Sequence, residues 1–226
     1  VKPRLLDLFC CAGGASRGYA DAGFEVVGVD IEAQPRYPFE FVEADAMTYP
    51  LNGFDAVHAS PPRHDHSKAT RRNRRHKAAE GHGTGWMLAA TIDRLAASGL
   101  PYVVENVENA DFPRSVYRVR LCGSSFGLDV QRHRWFASNV PMLQPPCAHH
   151  LQRPRFRSLD SRRKAGTLAT VVGVHGHLNY AGEFPLRCAA MGIDWMTNDE
   201  LSQAIPPAYT RFIGEQMIQQ FARVAS

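Results

Sequence analysis

Five short apolar runs fix what this chain can fold into. They are "RLLDLF" (4–9), "FEVVGVD" (24–30), "FEFVEAD" (39–45), "FDAVHAS" (54–60) and "PYVVENV" (101–107). Runs of this length, rich in Val and Phe and broken by polar turns, read as buried strands. Helical stretches lie between some of them. "CAGGASRGYADAG" follows the first run, with Tyr19 and Ala20 on its buried side, and "WMLAATIDRLAASG" (86–99) has helical period and a terminal Gly. Strands alternating with helices predict a parallel sheet with right-handed crossovers, hence a doubly wound α/β domain. "TNDELSQAI" (197–205) reads as a capped helix, and "PPAYTRFIGEQMIQQFARVA" (206–225) as an amphipathic helix with Pro at its start. The last helix is expected to pack back on the first domain.

After about residue 138 the pattern breaks, and residues 139–185 are rich in Pro, Arg, His and Gly. Residues 1–138 and 196–226 are therefore expected to form one domain, with 139–195 a short separate region. With 226 residues, 44% of them hydrophobic, the chain can fill one sizeable core. No apolar run approaches the roughly 20 residues a membrane span needs. The opening "VKPRLLDLF" reads as a strand, not as a signal sequence. A cytoplasmic monomer is the expectation. Five cysteines, with Cys10 and Cys11 adjacent, do not form a disulfide framework and read as reduced thiols.

Ligands of doubly wound sheets bind at the carboxyl ends of the strands. Gly13 and Gly14 follow the first run, where glycine lets the backbone approach a ligand and present amides at a helix N-terminus. Asp30 ends the second run, where an acid grips ribose hydroxyls, and Asp45 follows the third, placed to accept from an adenine amino group. Asp7 would order the turn. Together these positions point to an adenosine cofactor. The turn is not G-x-G-x-x-G and provides for no second phosphate, which favours S-adenosylmethionine over NAD.

The net charge of +4 is concentrated in two stretches: "RRNRRHK" (71–77), with Arg71, Arg72, Arg74, Arg75 and Lys77, and "QRPRFRSLDSRRK" (152–164), with Arg153, Arg155 and Arg157. Two basic segments favour a nucleic acid as partner, against the plainer reading of solvated faces.

In these residues the chain resembles the C5-cytosine DNA methyltransferase family, in its short, phage-type form. "DLFCCAGGASRGYADAGFEVVGVD" resembles that family's first two motifs, "ASPPRHDHS" its Pro-Cys loop, "ENV" its glutamate motif, "RHRWF" (132–136) its Arg-x-Arg motif, and "SQAIPPAYTRFIG" its last motif. The resemblance implies a Rossmann-like methyltransferase fold that binds S-adenosylmethionine through Phe9, Cys10, Gly13, Gly14, Asp30, Ile31, Asp45, Ala46, Pro61, Ala204 and Ile205. It implies a DNA cytosine substrate turned out of the duplex stack, with Glu105 at ring N3, Arg134 at O2, Arg132 bracing them and Asn106 structural. Residues 139–195 take the place of the target-recognition region, short enough to imply low sequence specificity.

Three departures stand out. Cys11 replaces the first glycine of the cofactor turn, Gln203 stands where the last motif has Asn, and Arg63 stands where the family has its nucleophilic cysteine. A guanidinium stays protonated and offers no lone pair. Cys10 and Cys11 lie in the turn, and Cys122, Cys147 and Cys188 lie elsewhere, so none is placed to replace the thiolate; they read as small buried hydrophobes. Ser60, Pro61 and Pro62 also match the (Asp/Ser/Asn)-Pro-Pro start of the amino-methyltransferase motif. Its carbonyl and side chain accept from an exocyclic amine during direct transfer. His64 stands in place of that motif's aromatic. Three readings remain open: direct transfer to cytosine N4, a silent binder of cofactor and DNA, or a substitution that inactivates this chain.

"CAHH" (147–150) and "HGH" (175–177) place Cys147, His149, His150, His175 and His177 in the irregular region. A metal staple and polar loop histidines are both readings. The spacing fits no standard zinc pattern, so no metal is expected.

Overall fold

The computed structural model describes residues 1–62, 85–108, 110–152, 171–174 and 184–224. The five apolar runs become adjacent strands: β1 (Arg4–Leu8), β2 (Glu25–Asp30), β3 (Glu40–Glu43), β4 (Ala56–Ala59) and β5 (Tyr102–Asn106). They pair in parallel within a seven-stranded sheet of order β3-β2-β1-β4-β5-β7-β6. Helix α1 (Gly14–Ala22) joins β1 to β2, and α2 (Gly85–Ser98) runs into β5. The strand order reverses between β1 and β4, which opens a crevice at the carboxyl ends of the central strands.

Two strands go beyond the expectation. β6 (Tyr117–Leu121) and β7 (Arg134–Ser138) form an antiparallel pair, and β7 inserts antiparallel beside β5, so that Glu105 lies opposite Phe136 and Asn106 opposite Trp135. The parallel sheet thus carries an antiparallel edge. The chain also forms a helix, α3 (Phe184–Met191), inside the region expected to be irregular. Helix α4 (Asn198–Gln203) starts at Thr197, whose hydroxyl accepts from the Glu200 amide while the Glu200 carboxylate accepts from the Thr197 amide. Helix α5 (Pro207–Val224) follows directly.

Alternate strand residues serve opposite faces. Leu5, Val26, Val103 and Phe136 face α1 and α5, where Tyr19, Tyr209 and Ile213 are fully buried. Leu6, Leu8, Val57 and Val104 pack on the other face with Ile92 and Leu95 of α2. A third cluster joins Ala12 and Val130 to Val172, Met191, Ile193, Leu201 and Ala204. Residues just beyond β7 are tied to the main body as well: Gln220 Nε2 donates to Pro141 O at 2.9 Å, and Leu143 N to Gln216 Oε1 at 2.7 Å. Among the described residues, no helix is long and apolar enough to cross a membrane.

Candidate functional site

The turn after β1 is shaped by left-handed backbone at three positions: Phe9 (φ 58°), Cys11 (φ 44°) and Gly13 (φ 82°). Such values are unusual for residues with a side chain. The Cys11 conformation explains why a glycine suits that position. It is held by its own amide, which donates to Asp30 Oδ2 at 2.9 Å. Asp30 Oδ1 accepts from Glu32 N at 3.2 Å. A carboxylate has about four acceptor positions, so Asp30 retains capacity for a ligand's hydroxyls. Asp45 Oδ1 accepts from Met47 N at 2.8 Å in the same manner.

These residues border a cavity of about 360 Å³ at the strand ends, within the roughly 300–1,000 Å³ usual for small-molecule sites. Of the positions expected to hold a cofactor, Phe9, Cys10, Gly14, Asp30, Ile31, Asp45, Ala46, Ala204 and Ile205 line it. Gly13 and Pro61 do not line it. Gly13 instead lies under the Tyr37 ring and Pro38, and at Pro61 it is the neighbours Ser60 and Pro62 that face the cavity. The segment Ala204–Ile205 crosses directly over the start of α1, and a methyl group on Gly14 would approach Ile205 O to 2.6 Å.

Asp7 has a larger place here than ordering the turn. It is fully buried, lines the cavity, and accepts from Ser16 Oγ through Oδ2. Its Oδ1 has no partner among the described residues. Burial, reinforced by nearby Asp30, raises its pKa to about 7 despite the Ser16 hydrogen bond. Glu200 and Met196 also line the cavity; Glu200 is held by a bidentate ion pair with Arg36, at 2.8 and 3.0 Å.

A second group meets the same cavity, which Ser60 and Glu105 also line. Glu105, at the end of β5, is buried, and Arg134 Nε lies 3.0 Å from its Oε1 as an ion pair without hydrogen-bond alignment. Burial pushes the Glu105 carboxyl above its ordinary range, offset in part by Arg134, Arg132 and a hydrogen bond from Ser60. Ser60 is itself positioned from the core. His58 Nε2 sits 3.0 Å from Ser60 Oγ, and its Nδ1 sits 3.0 Å from the Tyr19 hydroxyl. Burial lowers the His58 pKa to about 3, which keeps the ring neutral. His58 is missing from the sequence-based site; its one signal is a histidine inside an otherwise apolar strand.

Arg132 braces its surroundings. It is buried and donates to Val174 O at 2.6 Å and Ser202 O at 2.7 Å, joining β7's approach to α4. Asn106 Nδ2 donates to Pro61 O at 3.2 Å, a structural tie between β5 and the Ser-Pro-Pro segment. Arg63 and His64 lie outside the described residues, as do Arg71, Arg72, Arg74, Arg75 and Lys77, Arg153, Arg155 and Arg157, and His175 and His177.

Compared with solved structures, the chain resembles S. pombe Dnmt2 methyltransferase at TM-score 0.61 and 10% identity, covering 98% of this chain and 99% of that one. It also resembles a proposed DNA modification methyltransferase encoded within an E. coli prophage, at TM-score 0.56 and 13% identity, covering 96% and 99%. The fold is the Rossmann-like methyltransferase fold. No family model and no curated protein sequence matches the chain. At these identities the likeness extends to the fold alone.

Proposed function

We propose that this chain is an S-adenosylmethionine-dependent methyltransferase acting on cytosine in DNA, with the covalent C5 route closed. The observation that carries the reading is the Glu105–Arg134 pair at 3.0 Å beside Ser60, next to a cavity with Asp30 and Asp45 at successive strand ends. A buried acid and guanidinium at that spacing suit a ring nitrogen and a neighbouring carbonyl oxygen. Residues 139–195 would serve target recognition, and the basic segments would hold the DNA backbone.

The cavity fits the cofactor. Asp30 has acceptor capacity for ribose hydroxyls, Phe9, Ile31 and Ala46 offer apolar walls, and Asp7 Oδ1 is a buried acceptor in need of a cationic donor such as an ammonium. When bound, S-adenosylmethionine supplies an electrophilic methyl group. The chain's own residues do the rest. Arg134 holds the base oxygen, and Arg132 and Asn106 keep β7 and the Ser-Pro-Pro segment in place. Ser60 and Glu105 accept from the exocyclic amine, whose proton must leave when its nitrogen gains a carbon. Glu105 can take up that proton only when ionised. Transfer to N4 should therefore rise with pH through the raised Glu105 pKa, whereas support of C5 addition would need the protonated form.

Arg63 cannot form the bond to C6 that the family's cysteine forms. Losing a covalent nucleophile costs up to about 10⁶-fold in rate in a well-studied hydrolase. The test is mass spectrometry of digested DNA after incubation with labelled cofactor. N4-methyldeoxycytidine supports direct transfer, and robust 5-methyldeoxycytidine overturns it. Arg63→Cys should restore trapping by fluorinated cytosine and C5 methylation. A second reading, a silent binder of cofactor and DNA, is favoured by Arg63 itself, which suits a phosphate; absence of any label alongside calorimetric binding of the demethylated cofactor would establish it. NAD binding in place of that product would remove the methyltransferase reading.

A further inference from the structure

Away from the cavity, two thiols and two imidazoles converge. Cys122 follows β6 and is fully buried, His133 immediately precedes β7, and Cys147 and His149 lie in the loop beyond β7. One ligating atom of each lies within 4.8 Å of all the others. Cys122 Sγ is 3.1 Å from His149 Nε2, and Cys147 Sγ is 3.6 Å from His133 Nε2. His150, expected beside them, is exposed and takes no part. The reading of Cys122 and Cys147 as merely small hydrophobes therefore does not account for their surroundings.

The geometry points to a structural zinc site formed by Cys122, His133, Cys147 and His149. Tetrahedral zinc binds sulfur at about 2.3 Å and imidazole nitrogen at about 2.0–2.1 Å, which sets ligand-to-ligand edges of roughly 3.3–3.8 Å. The Cys147–His133 contact at 3.6 Å falls within that range, and the Cys122–His149 contact at 3.1 Å lies just below it. Two sulfurs and two nitrogens in a tetrahedral set select zinc among the common divalent ions. A further group supports the assignment: Glu108 Oε1 lies 3.4 Å from His133 Nδ1, the ring nitrogen turned away from the cluster. A carboxylate at the distal nitrogen is the usual partner of a metal-bound imidazole, fixing its tautomer and orientation. Four protein ligands would leave no open position, so the ion would be structural, not catalytic.

The site would act on the neighbouring arginines through the backbone. His133 stands between Arg132 and Arg134, and Arg134 Nη1 donates to His133 O at 2.8 Å. Pinning the His133 ring holds the stretch from which both arginines project. It also fastens the loop at 147–149 to the β6–β7 edge. This inference does not depend on the methyl-transfer reading.

The test uses the full chain, purified without added metal and passed through gel filtration. Elemental analysis should find about one zinc per chain. Cys147→Ser and His149→Ala should each lose it, and Cys188→Ser should keep it. Glu108→Gln should retain the ligands but weaken zinc by about 10- to 100-fold in competition with a chromophoric chelator. Should the ligand variants fail to fold, cobalt exchange into the unaltered chain decides: intense visible bands with sulfur-to-metal charge transfer are expected. Weak octahedral bands, no bound metal, zinc retained in both ligand variants, or a Cys122–Cys147 disulfide in the purified protein would each overturn the assignment.

Discussion

Asp7 combines full burial with a pKa raised to about 7 and an oxygen that has no partner among the described residues. The folded-state pKa lies above the ordinary 3.8, so the group's contribution to stability is complete below about pH 4 and is lost as pH rises towards 7. The full shift corresponds to a few kcal/mol, on the order of 1.4 kcal/mol per pH unit. Asp7→Asn should flatten this part of the profile and gain stability near neutrality. Urea denaturation of both proteins at about pH 4 and about pH 7 measures it, and parallel pH dependence in the two would remove the account. Asp30 and Asp45 were legible in the sequence because each follows an apolar run and meets the ligand edge of the sheet. Asp7 and His58 were less so, since their roles depend on neighbours from α1 and the Ser-Pro-Pro segment that are remote in sequence.

At the scale of elements, the decisive contact is between α1 and α5. Thr210 Oγ1 donates to Ala15 O at 2.8 Å, and a methyl group on Gly18 would collide with Pro207 O and Thr210 Oγ1. Alanine ordinarily improves a helix interior by about 1 kcal/mol over glycine. Here Gly18→Ala should instead destabilise by about 2–3 kcal/mol, because backbone and a buried hydroxyl have to move. Thermal unfolding checks the sign; an unchanged or raised Tm would mean that the crossing is looser than described. The five parallel strands could be read from their apolar runs. The β6–β7 pair could not. "YRVRL" alternates charge with apolar residues on a partly exposed edge, and "RWFAS" begins with the arginine that pairs with Glu105. Where function chooses the residues, the hydrophobic period that betrays a strand weakens. The insertion of β7 beside β5 is a long-range pairing that no local pattern encodes.

Across the whole molecule, the two basic segments predict an electrostatic hold on DNA. If the seven arginines and one lysine named at 71–77 and 153–157 each neutralise a phosphate, the affinity should fall by about 10³- to 10⁵-fold between 50 and 200 mM salt. Fluorescence anisotropy over that range measures the slope, and a flat dependence would discard the DNA partner. The four converging cysteine and histidine side chains escaped the sequence because they come from three separate segments; only the Cys147–His149 part is local. The pairing of α1 with α5 has a consequence for how the protein is made. Thr210 and Ala15 are 195 residues apart. At about 5–20 residues per second, synthesis leaves the apolar face of α1 waiting on the order of 10–40 seconds for its cover. Throughout that interval the nascent chain shows Ala15 and Tyr19 to holdase chaperones or to its neighbours on the polysome. The cavity wall at Ala204 and Ile205 emerges just ahead of α5, so the cavity gains its last wall only as that wait is ending.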